Sequence, residues 1–227
     1  MSPGTYQAAE VVASSPPGSA SLADIAAANG IRDPRLLQAM REMPRARFVP
    51  PKQARRAERD APIPIGHQQV TTQPSLVAAM LEALALHGDE RVLEVGTGYG
   101  YQTALLARLA RWVWTIEWWS DLAAAARANL AAARIANVEV ITGDGSNGLP
   151  DHAPFDAILV SAAFPQVPPP LIDQLTPGGR LVQPIGPGGD EKVTLFMKDG
   201  AGLRTIRTVT HAHFVPLVGR YGLRRGR

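Results

Sequence analysis

Arg91-Val92-Leu93-Glu94-Val95-Gly96-Thr97-Gly98-Tyr99-Gly100 decides the fold. The apolar run at its start reads as a strand, the glycines as a tight turn, and the residues that follow as a helix. Glycine is wanted at alternate positions because such a turn needs unrestricted φ, and because a ligand approaches backbone only where no Cβ stands in the way. The stretch therefore predicts a strand–loop–helix unit that cradles a nucleotide-like cofactor.

Spacing narrows the cofactor. A dinucleotide fingerprint reads Gly-x-Gly-x-x-Gly and holds a pyrophosphate at the helix N-terminus; here Gly96, Gly98 and Gly100 give Gly-x-Gly-x-Gly, with the third glycine one residue early. Glu94 precedes the loop, where it would repel a pyrophosphate but attract the amino group of an amino-acid ligand. S-adenosylmethionine meets that demand. Its ribose calls for a carboxylate at the end of the next strand, and Trp112-Val113-Trp114-Thr115-Ile116 ends in Glu117, 21 positions after Gly96. A third strand, Val138 to Gly143, ends at Asp144, placed to receive the adenine amino group. These acids at successive strand ends predict a methyltransferase.

Along the chain, Asp33-Pro34 reads as an N-cap with proline in the first turn of a helix carrying Leu36, Leu37, Met40 and Met43 and stopping before Pro44. A second helix is expected from Ser75 to Leu86, and a third, alanine-rich, from Asp121 to Ala133. Phe155 to Val160 reads as a buried strand, Pro169 to Leu175 as a helix and Arg180 to Pro184 as a strand. Thr194 to Lys198, Leu203 to Val209 and Phe214 to Val218 read as closing strands, with Asp199-Gly200 as a hairpin turn. This alternation predicts an α/β fold, a doubly wound, mostly parallel sheet with helices on both faces.

Composition agrees. With 227 residues and 45% hydrophobic residues, one sizeable core is expected. Zero cysteines exclude disulfides, thiolate metal sites and a cysteine nucleophile. No apolar run reaches membrane-spanning length and no signal-peptide pattern opens the chain, so a cytoplasmic protein is expected. The net charge of +3 is dispersed except at Arg220, Arg224, Arg225 and Arg227, which read as a solvated basic tail and not a nucleic-acid surface. His211 and His213 alternate on a strand without a third ligand nearby, so no metal is expected.

Several blocks carry a more specific likeness. Ile63-Pro64-Ile65-Gly66-His67 leading to Gln73-Pro74, the loop from Gly96 to Ala104, Arg47-Phe48-Val49-Pro50, Leu175-Thr176-Pro177-Gly178-Gly179-Arg180 and Phe214-Val215-Pro216-Leu217-Val218-Gly219 together resemble protein-L-isoaspartate O-methyltransferases over about residues 21 to 219. The resemblance implies a Rossmann-like methyltransferase with a lead-in over 1–20, N-terminal helices and a substrate loop over about 21–74, a cofactor-binding sheet over 75–219 and a tail over 220–227. It implies methyl transfer from S-adenosylmethionine to the free α-carboxylate of L-isoaspartyl, and also D-aspartyl, residues in damaged proteins and peptides, by a monomer that needs neither nucleic acid nor membrane.

Such chemistry needs no general base, since a carboxylate is already ionised at neutral pH. The work is to hold nucleophile and methyl donor in line and to exclude water. Where the family usually has Gly-Gln-Thr-Ile-Ser, this chain has Gln68-Gln69-Val70-Thr71-Thr72, so Thr72 takes the place of the usual serine, with Thr71 as the other hydroxyl. The resemblance gives Thr72 and Thr71 the catalytic role. It gives the cofactor to Glu94, Gly96, Thr97, Gly98, Gly100, Gln102, Thr103, Glu117, Asp144 and Gly145; Trp118, where the family often has a basic residue, is expected to join them by stacking its flat ring on adenine. It gives the substrate to Ile65, His67, Gln69, Val70 and Val218. Other readings stay open from sequence: a relative retargeted to another carboxylate, a binding protein that has lost turnover, and a nicotinamide-dependent reductase, which the early third glycine disfavours.

Overall fold

A computed structural model describes residues 20–187 and 189–224, so the lead-in expected over 1–20 falls, apart from Ala20, outside the described residues. The first helix, α1 (Leu22–Ala28), is closed by a capping box in which Ser21 and Asp24 satisfy each other's backbone N–H groups. α2 (Pro34–Glu42) starts as expected on the Asp33 cap, whose carboxylate accepts from Arg35 N and Leu36 N. Two short 3-10 turns lead to a two-stranded antiparallel hairpin, β1 (Ile63–Gly66) and β2 (Gln69–Thr71), and then α3 (Pro74–Ala83). That helix ends earlier than the apolar periodicity suggests. Ala85 takes φ 47, and the carbonyls of Ala85 and Leu86 bind Arg180 and Arg35 instead of continuing the helix.

The remainder builds the sheet: β3 (Arg91–Val95), α4 (Tyr101–Leu109), β4 (Trp112–Glu117), α5 (Ser120–Ala132), β5 (Val138–Thr142), β6 (Phe155–Val160), α6 (Pro169–Asp173), β7 (Leu175–Ile185), β8 (Glu191–Asp199) and β9 (Gly202–Ala212). The seven strands lie in the order β5-β4-β3-β6-β7-β8-β9. The first five pair in parallel and the last two join antiparallel through the Asp199–Gly202 hairpin. The chain winds outward from β3 to β5 and then crosses back to β6 on the other side of β3. A crevice at the carboxyl ends of β3 and β6 is the result, the usual ligand position in such sheets.

Alternation along β3 divides the core. Val92 joins the buried residues of α1 to α4 on one face, whereas Leu93 and Val95 join Phe155, Ile158 and Leu171 on the other. Fully burying a leucine such as Leu105 or Leu171 stabilises the fold by roughly 1.5–3 kcal/mol. Among the described residues no helix is long and apolar enough to cross a membrane.

One expected strand is absent. Phe214 to Val218 makes only isolated bridges, Ala163 with Pro216 and Val218 with Leu223. Pro216 has no N–H to donate, so a continuous ladder cannot form there. Ala163 N and Leu217 N instead form 2.8 Å bonds to Val215 O and Ala163 O, which draws the segment across the end of β6.

Candidate active site

Three hollows meet at the crevice. The inner cavity, about 520 Å³, lies between the β1–β2 hairpin and the glycine loop and includes Ile65, Gln69, Thr71, Thr72, Gly96, Gly98, Tyr101, Gln102 and Glu117 in its walls. A second cavity, about 510 Å³, continues past Glu117 to Trp118, Gly145 and Val218. An outer groove, about 1290 Å³, runs between α3 and the end of β9 from Ser75 and Leu76 to His213 and Phe214. Ser161 and Val215 border all three; Val70 and Thr72 are shared by the inner cavity and the groove.

The glycine loop is shaped by backbone demands. Gly96, Gly98 and Gly100 have φ values of 100°, 57° and 91°. A Cβ on Gly96 would stand 3.3 Å from Ser161 Cβ, at the point where β3 and β6 part, and one on Gly98 would stand 3.2 Å from Ile65 Cδ1 of the hairpin. Gly100 does not border the cavity; its left-handed φ starts α4, close against Leu130 and Ala126.

Glu94 is not where the sequence suggests. It is fully buried beneath the loop, its carboxylate accepting from Gln102 Nε2 at 2.8 Å, Thr103 Oγ1 at 2.5 Å and Thr115 Oγ1 at 2.7 Å. Thr97 Oγ1 lies 2.6 Å from Thr115 Oγ1, whose proton goes to Glu94, so Thr97 donates into the same network. Burial raises the Glu94 pKa to about 7, against the pull of these donors. The direct ammonium contact expected of Glu94, and the cofactor contact expected of Thr103, are thus corrected: both side chains tie β3 to α4 and β4 and neither borders a cavity. Their order in sequence could not show that, because a carboxylate under a loop and one facing a ligand read alike.

Glu117 does border the inner and second cavities. Its Oε2 accepts from Gly98 N at 2.8 Å and its Oε1 from Trp119 N at 3.0 Å, which fixes the carboxylate; burial raises its pKa above the usual glutamate value. Asp144 is corrected in the other direction. Oδ1 is bound by Ser146 N and Oγ and Oδ2 by Arg220 N at 2.7 Å, so the carboxylate fastens the C-terminal segment while only its neighbour Gly145 faces the second cavity. The expected solvated tail is therefore anchored at Arg220, whose guanidinium also lies over the Tyr221 ring; residues 225–227 fall outside the described residues.

Within the hairpin, Ile65, Gln69, Val70, Thr71 and Thr72 all reach the inner cavity, but His67 does not. Its ring stacks on Trp119 and its Nε2 lies 2.9 Å from Asp121 Oδ2. Val218, expected at the substrate, lies instead in the second cavity beside Trp118. The groups that sequence reading missed are Tyr101, Ser161 and Arg45, while Val215 lies in the Phe214–Gly219 segment that carries the family likeness. Arg45 is fully buried and donates to five carbonyls, those of Ala57, Arg59, Ala61, Thr71 and Thr72, so the hydroxyl-bearing end of β2 hangs from one guanidinium. Burial lowers its pKa to about 10, which leaves it charged at neutral pH. Ser161 was foreshadowed by its position directly after the buried run Phe155–Val160; Arg45 carried no local signal.

The cavity fits an amino-acid-bearing nucleoside. Gln102 borders it, is 7% exposed, gives its Nε2 to Glu94 and Ser161, and leaves Oε1 buried with no partner, an acceptor ready for an ammonium group. Glu117 and Gly96, Thr97 and Gly98 line the same cavity. Among the described residues no group of three or more His, Asp or Glu side chains could hold a metal.

Comparison with known proteins agrees with this geometry. Residues 19–222 match the family model described as Protein-L-isoaspartate(D-aspartate) O-methyltransferase (PCMT). The chain is 51% identical over 196 residues to a protein of that name from Methanoregula boonei, covering 86% of this chain and 90% of the relative. It is 55% identical over 190 residues to one from Anaeromyxobacter dehalogenans, covering 83% and 91%. A solved structure titled protein-L-isoaspartate O-methyltransferase superposes with TM-score 0.75 at 27% identity, over 88% of this chain and 66% of that one. A second, from Plasmodium falciparum and in complex with S-adenosyl-L-homocysteine, gives TM-score 0.74 at 21% identity, over 87% and 96%, and supports the fold.

Proposed function

We propose that this chain, which belongs to the protein-L-isoaspartate(D-aspartate) O-methyltransferase family, works by positioning a carboxylate and keeping water from it, without acid–base catalysis. The protein is an S-adenosylmethionine-dependent methyltransferase that transfers a methyl group to the free α-carboxylate of isoaspartyl residues in proteins and peptides and so starts their repair. S-adenosylmethionine supplies an electrophilic methyl carbon bound to a sulfonium.

Each residue's part follows from where it stands. Gln102 Oε1 would take the methionine ammonium, Gly96 and Gly98 leave room for the ligand to approach the backbone, and Glu117 would receive the ribose hydroxyls. Trp118 and Gly145, which line the second cavity, would hold the adenine there. The observation that carries the reading is that Thr72 stands where the inner cavity opens into the outer groove. A peptide in the groove presents its carboxylate at this junction, and Thr72 Oγ1 donates to it, with Thr71 further inside. Arg45 holds both carbonyls, so the hydroxyls are set before substrate arrives. Val215 and Ser161, on the shared rim, close the reaction space between peptide and cofactor.

The same reading makes the protein a cytoplasmic monomer acting on polypeptides, with neither nucleic acid nor membrane required. Sedimentation of the purified chain tests the monomer. Activity is tested with methyl-labelled S-adenosylmethionine and two matched peptides, one with L-isoaspartate and one with L-aspartate. Base-labile label on the isoaspartyl peptide alone is the expected outcome. Label on neither, with S-adenosylhomocysteine still bound, would instead favour retargeting to another carboxylate, which the Val70-Thr71-Thr72 sequence permits.

A further inference from the structure

Tyr101, the first residue of α4, is 2% exposed, and its hydroxyl is buried with no hydrogen-bond partner. Leaving such a group unmet costs about 1–3 kcal/mol, so its persistence at a site needs a reason. Tyr101 borders the inner cavity together with Thr71 and Thr72. Its ring is wedged between Phe48, at 6.1 Å, and the Arg45 guanidinium, 6.0 Å from the ring centroid. Phe48 and Arg45 are themselves fully buried, so the phenol cannot swing out to water.

The surroundings select the kind of ligand. Arg45 is a buried cation whose hydrogen bonds all go to neutral carbonyls, and whose charge is supported at longer range by the carboxylates of Asp60 and Glu58. Burial pushes the phenol pKa up, so the hydroxyl keeps its proton at neutral pH and is a donor there. A donor hydroxyl with no partner, on the same cavity wall as two threonines and with a buried guanidinium 6.0 Å from its ring, suits a carboxylate.

We propose that the Tyr101 hydroxyl is a substrate-binding group that donates a hydrogen bond to the isoaspartyl α-carboxylate placed by Thr72. This rests on the methyltransferase reading above and adds to it a residue outside the threonine loop. Because the carboxylate loses its charge as the methyl group arrives, the bond is strongest to the bound substrate and weaker later. Tyr101 therefore serves affinity more than the chemical step.

The test is Tyr101→Phe, which removes one oxygen and keeps the ring. Wild type and variant are compared by KM and kcat on an isoaspartyl peptide, by the dissociation constant of S-adenosylhomocysteine, and by melting temperature without ligand. The expected result is KM raised about tenfold or more, as for a lost bond to a charged group. kcat should stay within about threefold, S-adenosylhomocysteine affinity should be unchanged, and the melting temperature should be equal or higher because an unmet buried hydroxyl has gone. Unchanged KM overturns the proposal. So does a loss of S-adenosylhomocysteine affinity without a change in peptide KM, which would give Tyr101 to the cofactor's carboxylate. A lower melting temperature with unchanged KM would show that the hydroxyl pairs with Arg45 Nε, also unpartnered here, and has a structural role only. Wild type that labels no isoaspartyl peptide would overturn the underlying reading, a different failure from labelling that Tyr101→Phe leaves untouched.

Discussion

The imidazole of His67 lies flat on the indole of Trp119, with ring centroids 3.8 Å apart and planes 10° from parallel. His67 sits at the tip of the β1–β2 hairpin, in the left-handed region with φ 50, and Trp119 caps α5. The contact therefore joins the hairpin that carries the threonines to the start of α5, two residues past Glu117. Asp121 extends the junction through His67 Nε2, and that hydrogen bond is the main cause of its lowered pKa.

Since the hairpin roofs the cofactor cavity, loosening this junction is expected to speed escape of the bound nucleoside. Trp119→Leu should raise the dissociation rate of S-adenosylhomocysteine roughly three- to tenfold, the worth of an aromatic stack. Stopped-flow displacement measures it; an unchanged rate would mean that the hairpin stays shut without the stack.

Thr72 and Thr71 are separated by place. Thr72 stands at the junction with the groove, while Thr71, 9% exposed, faces only the inner cavity. Thr72→Ala should lower kcat roughly tenfold to a hundredfold, and Thr72→Ser should restore most of it, because positioning needs the hydroxyl and not the methyl. Thr71→Ala should do less. Equal losses at both positions would contradict this division.

Glu94 links the site to stability. Its folded pKa of about 7 lies above the glutamate value of 4.5, so the folded state holds a proton that the unfolded chain has already released between these pH values. Stability then falls as pH rises from 4.5 to 7 and levels off above. The contribution is on the order of 3 kcal/mol. Glu94→Gln should remove this slope. Urea unfolding of both proteins across that range measures the difference; parallel curves would show that the buried carboxyl ionises freely.

Gly219 is a packing requirement of the C-terminal segment. At φ +148, its ideal Cβ would fall 2.0 Å from Asp144 Oδ1 and 2.4 Å from Ser146 Oγ. Gly219→Ala should break the anchor between Asp144 and Arg220 and destabilise the protein by roughly 2–4 kcal/mol, in the range of overpacked sites. It should also weaken S-adenosylhomocysteine, because Val218 and Gly145 border the second cavity. A melting temperature within a degree of wild type would refute the constraint.

For Glu117, whose carboxylate is fixed by Gly98 N and Trp119 N, the prediction concerns binding. Glu117→Gln should weaken S-adenosylhomocysteine roughly tenfold or more, since an amide keeps one acceptor but loses the charge-assisted bonds to ribose. Calorimetric titration decides.

Local patterns in the sequence determined the parallel strands, the glycine loop with its helix, the Asp33 cap and the family blocks around Gly66 and Gly219. These are written in periods, caps and turn residues that act within a few positions, and the chain has little choice in obeying them. The capping box of α1, Ser21 with Asp24, obeys the same short-range rule. Only the tertiary structure decided which way the acids face. Glu94, Glu117 and Asp144 read as three equivalent strand-end carboxylates, yet one is sealed under the loop, one borders the cavity and one fastens the C-terminal segment. The same holds for Arg45, Tyr101 and Ser161, which meet the threonine loop from distant parts of the chain, and for Phe214–Val218, which Pro216 keeps out of the sheet and leaves draped over the site. Strand periodicity says which residues alternate, but the partners of a buried polar group come from segments far apart in sequence, and they exist only once the sheet has brought them together.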